Sequence, residues 1–503
     1  MKNFLKENKG IILFYCFMFV FLCLQTLSSN TIDPDYWARL LQGNAFLETG
    51  HILKQDIFSF TQTHLWLDHE WGASVVFALF QKYLGFKGIL CLRTLIAFLI
   101  FVFIFKTIKI RTEQRSPVTD VLLFTASALA IPTITQSGLR CHFFTFLFFA
   151  IFLYILELVR NKGKDKLLFL LPMIMLFWSN SHGGCVSGLG LIGMYAVGEF
   201  LNKKPFKKYL FTLLASVGVM FINPYGIDFV KFIFMASTMA RPNITEWLSP
   251  FVHPVWSFML AFKILFVLNA LILIINLKNF KTDFTKYIIL IVCLIISVRN
   301  VKSTPFFIII SMIFLYDYYC SVINKAFSKF PKLNERISAS ILMIVLLLAQ
   351  IPIISAETQK SYLREQPLQI VEFLKVNSLK GKVLAPFDFG SYIAYKLYPD
   401  ITIYMDGRYE EVYFPETAAI VNNFYLVKNN WAEILDYEPD YIIIPADGLV
   451  NDFLAKREDY KLIYANPKEW LYTKTDLLKE NYIRPSGSYK YYEDSVFETN
   501  VKF

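Results

Sequence analysis

Residues 30 to 43 read NTIDPDYWARLLQG, and within them Asp33, Asp35 and Arg39 lie around Trp37 directly after an apolar run. Carboxylates that accept a proton and a guanidinium that holds an oxyanion are the parts needed to displace a phosphate leaving group. More acids follow, with Asp56 in LKQDIFSFT and Asp68 and Glu70 in WLDHEW. If the leaving group is a lipid phosphate, it departs as an already stable anion, and the chemistry needs mainly one carboxylate to deprotonate the acceptor, with cations to stabilise the phosphate. On this reading Asp33 activates the acceptor, Asp35 stands second, and Asp68 or Glu70 assists. Arg140 and Arg299 are the first candidates to hold the phosphate, with Arg39, Arg241 and His182 behind them; guanidinium groups bind phosphate oxygens by charge-assisted, often bidentate hydrogen bonds. Each has a plainer reading. Asp33 before Pro34 starts a helix, Asp35 favours its positive end, and Trp37, Trp66 and Trp71 are of the type found in interfacial belts. The arginines can snorkel or cap helix ends.

Such residues need a scaffold, and the composition shows which kind. The 503 residues are 55% hydrophobic, 17% aromatic and only 18% charged, too apolar for a soluble enzyme of this size. Runs such as IILFYCFMFVFLCL, FFTFLFFAIFLYIL and ILMIVLLLAQIPII lead to an expectation of about eleven transmembrane spans. The net charge of +10 is not a nucleic-acid signature, because lysines and arginines cluster in short links between apolar runs. Taking those links as cytoplasmic leaves Arg39, Arg93, Arg140, Arg241, Arg299 and Lys302 near the opposite face, while the midplane is almost empty of charge, Lys263 being the nearest case. A transporter places ionisable groups nearer the midplane. The first apolar run lacks a small-residue cleavage site and reads as a retained anchor. Seven cysteines sit singly in or beside apolar runs, none after Cys320, so neither a disulfide framework nor zinc spacing is present. His69 and His182 have no HExxH or CxxC nearby, so no metal ligand and no cofactor is assigned; a divalent cation stays open without a clear site.

The expected organisation is a membrane domain over residues 1–355, with a first outer loop at 29–71, and an extracytoplasmic α/β domain over 356–503. GASVVFALFQKYL, behind the loop, is short and amphipathic enough to lie at the interface before the next crossing. In the C-terminal part, helical stretches (PLQIVEFLKVN, ETAAIVNNFYLVK, NWAEILDYE) alternate with strand-like ones (KVLAP, ITIYMDG, DYIIIP, YKLIYAN, EWLYTK). Neither a GxGxxG loop nor a Walker lysine loop is present, so nucleotide binding has no support. Asp406, Gly407 and Arg408 follow a strand, where a loop can bind an acceptor; the alternative is a structural turn with Arg408 paired to Asp406 or Asp388. Glu410 and Glu411 are expected to be solvated.

The loop DPDYWARLLQGNAFLETGHILKQDIFSFTQTHLWLDHEW resembles that of bacterial polytopic glycosyltransferases of the GT-C superfamily, and FWSNSHGG, INPYG, NITEWLSP and FGSYIAYKLYPDITIYMDGRYEEVY resemble later blocks of the same group. More distantly, DPDYWAR is similar to the start of the first outer loop in oligosaccharyltransferase catalytic subunits, which places Asp33 at their organising carboxylate. Glu246 in ITEW resembles the glutamate of their mobile loop, and FDFGSY, with Asp388, their acceptor-reading motif. Two departures matter. Pro386 and Phe387 stand where paired tryptophans would be, and the TQSGLR link carries no carboxylate where those enzymes have an acidic metal-binding pair.

The resemblance implies a polytopic α-helical, GT-C-like membrane protein moving a sugar from a polyprenyl-phosphate donor to a glycan, lipid or protein acceptor outside a bacterial inner membrane. The alternatives are a lipid-linked glycan ligase or polymerase, a flippase or transporter, and a non-catalytic assembly subunit.

Overall fold

The computed structural model describes residues 9–29, 31–239, 241, 244–330, 334–357, 360–361, 363–485, 498–499 and 501–502. Lys2, Lys6 and Lys332 of the charge pattern and Asn243 of NITEWLSP lie outside them. The chain forms two compact units, Met1–Asn30 with Leu90–Gln359 and Thr31–Ile89 with Lys360–Phe503. The loop expected to belong with the membrane helices is thus grouped with the C-terminal domain.

The first, helical unit is built from the apolar runs. Across the whole chain, among the described residues, six helices are long and apolar enough to cross a membrane: Lys9–Ser28, Trp71–Arg111, His142–Lys162, Gly183–Leu201, Leu260–Thr282 and Glu335–Ala356. A seventh arises if Val301–Phe314 and Tyr316–Phe327, bent by 57°, count as one span. The expectation of about eleven counted apolar runs, several of which fold as helices too short for a hydrocarbon core about 30 Å thick. Pro117–Ala130 has 14 residues and Phe284–Arg299 has 16. Trp71–Arg111 is broken at Gly85, whose φ of 56° and ψ of −148° are open to glycine but costly for a residue with a Cβ. The break lies just behind GASVVFALFQKYL.

Helices of this unit are tied by buried charge. Arg160 donates to Glu199 at 2.8 Å and to Asp283 at 2.6 Å, joining three helices. Arg93 donates to the Ser29 carbonyl at 2.8 Å and the Thr135 carbonyl at 3.0 Å, satisfying carbonyls at the ends of two helices. Its place in the sequence pattern is therefore explained by capping.

The second unit is a five-stranded sheet with helices. Its strands are β1 (Gly381–Leu384), β2 (Ile401–Ile403), β3 (Tyr441–Pro445), β4 (Tyr460–Ala465) and β5 (Glu469–Lys474), in the order β2-β1-β3-β5-β4. β1 pairs in parallel with β2 and β3, and each parallel pair needs a crossover. Phe387–Leu397 supplies the first, and Pro415–Tyr425 with Trp431–Tyr437 the second. β4 and β5 form a hairpin whose turn is held by the Asn466 carboxamide, which accepts from Lys468 N–H at 2.7 Å and Glu469 N–H at 2.8 Å.

Candidate functional site

The residues 31–70 are built onto this sheet through backbone hydrogen bonds. Phe60 N–H donates to the Ile403 carbonyl at 3.0 Å and Ile403 N–H to the Phe58 carbonyl at 2.9 Å, adding a short bridge beside β2. Further on, His64 N–H donates to Val412 and Leu67 N–H to Glu411, at 3.0 and 3.1 Å. The WLDHEW acids are thereby carried to the MDGRYEE segment.

The helix Asp35–Thr49 begins where the sequence places it. Asp33 Oδ1 accepts Asp35 N–H at 3.0 Å, the Asp33 carbonyl accepts from Tyr36, and Gly50 at φ 73° closes the far end. Gly43 lets this helix approach the next, since a Cβ there would lie 2.2 Å from the Ser74 carbonyl oxygen. Trp37 is fully buried against Tyr392 and Tyr395, at ring distances of 4.9 and 5.2 Å, and Trp66 is buried too. Both are core residues rather than belt residues. Asp35 faces the MDGRYEE segment, where a Cβ on Gly407 would lie 2.7 Å from its Oδ1.

Asp33 therefore combines a structural bond with its proposed chemistry, and two substitutions separate them. Asn closes a helix start about as well as Asp, whereas Ala costs roughly 0.5–2 kcal/mol. Asp33→Asn is expected to keep the wild-type melting temperature while Asp33→Ala lowers it. Thermal unfolding of the two variants, run beside the activity assay described below, checks this; a role confined to the helix start predicts full activity in Asp33→Asn.

Arg39, on the same helix, is buried among carboxylates. Its Nη1 donates to Asp68 Oδ1 at 2.6 Å and lies 3.4 Å from Glu70 Oε2, and its Nη2 donates to Glu411 Oε2 at 2.8 Å. Glu411 is 5% exposed, which corrects the expectation that it is solvated. Burial pushes Asp68 up to about 6, against the pull of Arg39. For Glu411, burial is outweighed by Arg39 and His69, which hold the carboxyl down at about 2. His69 is shifted up, because Glu70 and Glu411 outweigh its burial.

Arg408 anchors the neighbouring turn. It bonds Asp56 at 2.6 Å, Asp406 at 2.9 Å and the Tyr413 hydroxyl at 3.1 Å, and all three charged side chains are wholly buried. Of the two readings of this segment, the turn with an Arg408–Asp406 pair is the geometry seen; Asp388 is exposed in the first turn of Phe387–Leu397. Asp56 also accepts from Phe58 and Ser59 N–H, both at 3.1 Å. Burial raises its pKa, but Arg408 and these bonds more than reverse that, so it lies below the ordinary value. A depressed carboxylate stabilises the fold above its unfolded pKa, about 3.9, and that contribution is lost as pH falls through the folded value. The sheet unit is expected to lose stability below about pH 4. Asp56→Asn should be less stable at neutral pH with a shallower acid decline; equal acid slopes in both chains would contradict the assignment.

In the helical unit, a second group of candidates meets at the loop 244–248. Val301 N–H donates to the Leu248 carbonyl at 2.9 Å, pinning this loop to the segment 300–303. Arg140 is ion-paired with Glu246. The Arg241 guanidinium lies 4.3 Å and Lys302 Nζ 5.2 Å from the centre of the Trp247 ring. Arg241 also donates to the Ala236 carbonyl at 2.8 Å, capping Ile227–Thr238. Burial acts to raise the Glu246 pKa, but Arg140, His142 and Lys302 outweigh it and keep the carboxylate ionised.

His182 is buried, and its Nδ1 accepts from Gly184 N–H at 2.9 Å and lies 2.8 Å from Thr145 Oγ1. Arg299 is exposed at the end of Phe284–Arg299. The structure thus gathers Arg140, Arg241 and Glu246, adds Lys302, and separately gathers Arg39, Asp68 and Glu70 with Glu411. Lys302 and Glu411 were absent from the sequence-derived site; the wrong-side charge of Lys302 was its signal, and Glu411 had none.

No family model matches the sequence, and no curated protein is similar to it in sequence. Among solved structures, the chain is similar in fold to the apo oligosaccharyltransferase of Archaeoglobus fulgidus, with a TM-score of 0.55 at 10% identity, over 86% of this chain and 69% of that one. At this identity the likeness concerns the fold: that of a membrane protein with an oligosaccharyltransferase-like architecture.

Proposed function

We propose that this chain is a membrane glycosyltransferase that takes a sugar from a polyprenyl-phosphate donor and passes it to a glycan, lipid or protein acceptor on the outer side of the membrane. The observation that carries the reading is the grouping of Arg140, Arg241 and Lys302 around Glu246 and Trp247, three cations with one carboxylate on a loop between apolar helices. Cations so placed stabilise a departing phosphate. Arg140, with Glu246 orienting it, and Lys302 hold the donor phosphate; Arg241 fixes the loop. Asp33 takes the acceptor proton, with Asp35 as the alternative. Arg39 is occupied by Asp68, Glu70 and Glu411, so we assign it to positioning rather than to phosphate.

Binding of a polyprenyl phosphate to the purified protein in lipid nanodiscs tests the phosphate assignment. Arg140→Ala and Lys302→Ala are each expected to weaken binding by roughly tenfold or more, the scale of one charged hydrogen bond. The corresponding prenol, lacking phosphate, should bind weakly and equally to all three chains. Equal affinity of wild type and both variants for the phosphate would overturn the assignment.

A further inference from the structure

We propose that His69, Glu70 and Glu411 form a site for a first-row divalent cation within the sheet unit. The three side chains each offer one donor atom, and these atoms lie within 4.8 Å of one another. They come from two segments far apart in the chain, brought together by the backbone bond from Leu67 N–H to the Glu411 carbonyl at 3.1 Å.

The arrangement of the carboxylate oxygens favours a cation. Arg39 lies against Oε2 of both glutamates, at 3.4 Å from Glu70 and 2.8 Å from Glu411. Their Oε1 atoms face the imidazole instead, with His69 Nε2 at 3.6 Å from Glu70 Oε1 and His69 Nδ1 at 3.0 Å from Glu411 Oε1. The two Oε1 atoms thus approach different nitrogens of the ring, and one donor atom from each of the three side chains lies within 4.8 Å of the others. Asp68, Glu70 and Glu411 all share Arg39, and a dication brings further positive charge into a set of partly desolvated acids.

Outer partners hold the ligands in place, as metal sites require. Asp68 Oδ1 accepts Glu70 N–H at 2.8 Å, and Trp66 Nε1 donates to Glu411 Oε2 at 3.3 Å. A set of one imidazole and two carboxylates suits zinc, manganese, cobalt or iron(II) better than calcium, which takes six to eight oxygens. His69 and Glu70 are each 16% exposed at the side chain, which leaves a path for the ion and for a water or substrate oxygen to complete its coordination. The inference is independent of the transferase reading, and its test involves no donor or acceptor.

The full-length protein, stripped with chelator and purified in detergent, is titrated with cobalt(II) while its visible absorption is followed. One equivalent per chain should bind with the bands of a low-symmetry site, and zinc(II) should displace it. His69→Gln and Glu70→Gln should each weaken cobalt binding by at least roughly tenfold. Both variants are compared by thermal unfolding without metal. Should His69→Gln fail to fold, Glu70→Gln and the wild-type stoichiometry decide the matter. Absence of stoichiometric cobalt in the wild type, or uptake unchanged in the folded variants, would overturn the proposal and leave His69 as an ion-pair partner of the two glutamates.

Discussion

An Arg408→Ala chain is expected to lose the fold of the sheet unit's loop region. The wild-type guanidinium is shared by Asp56 and Asp406 in a setting with no exposed charge, over the rings of Trp66 at 4.8 Å and Phe58 at 5.3 Å. Removing one partner of a buried pair costs about 3–5 kcal/mol, because the carboxylates left behind are uncompensated. Against a total stability of roughly 5–15 kcal/mol this is a large fraction. A fall in melting temperature on the order of 10 °C follows for a unit of this size. The consequence reaches the first loop, since Asp56 holds the turn at Phe58 and Ser59 and that turn pairs with Ile403. Limited proteolysis should open new cuts near residues 54–67 and 404–414 in the variant. Arg408→Lys should not rescue it, because an ammonium cannot span both carboxylates and the Tyr413 hydroxyl. Adding Asp56→Ala to Arg408→Ala should cost much less than Asp56→Ala alone, the sign of a shared interaction. Melting curves that are additive for the two changes would contradict a common network.

Arg140→Ala is expected to reduce sugar transfer by roughly 10²- to 10³-fold, the usual effect of losing one preorganised donor to a developing anion. Arg140 and Glu246 are both part-exposed at the side chain, 26% and 29%, so loss of their pair should change stability little. The loss should fall on kcat more than on the acceptor's KM, because the role proposed for the guanidinium is at the leaving phosphate. Arg140→Lys should restore part of the rate, keeping charge but not the two-pronged geometry. Glu246→Gln should give a smaller decrease, since it loosens Arg140 without removing it. Rates of the three variants at saturating donor check the order; an Arg140→Ala enzyme with wild-type kcat would remove Arg140 from the phosphate site.

The local elements were legible because their signals are local. The five strands of the C-terminal domain coincide with runs of β-branched and aromatic residues bounded by turn residues, and D-P at 33 and 34 marks the start of Asp35–Thr49. The helix Phe387–Leu397 falls outside the helical stretches that the sequence pattern marks. What stayed hidden was non-local. Glu411 was expected in solvent because its partner Arg39 is 372 residues away. The bond between Phe60 and Ile403 joins backbone groups, which carry no side-chain signature. Grouping of the loop with the sheet therefore had no pattern to show it. The expectation of about eleven spans rests on apolar runs, whereas six or seven of the described helices are long and apolar enough to cross: hydropathy marks a run, and the length of the helix that the run forms is a separate property. Of the six cations that the charge pattern sets apart, Arg140, Arg241 and Lys302 lie against the loop 244–248, whereas Arg39 and Arg93 are bonded elsewhere and Arg299 is exposed.

The most direct test of the transferase reading is product formation by the purified full-length protein in lipid, offered a panel of polyprenyl-phosphate sugars with glycan, lipid and peptide acceptors. The account predicts turnover of at least one donor, with release of polyprenyl phosphate, lost in Asp33→Asn and in Arg140→Ala while both variants remain folded. A folded wild-type protein that binds polyprenyl phosphate yet transfers no sugar to any acceptor, or turnover that survives both substitutions, would contradict it.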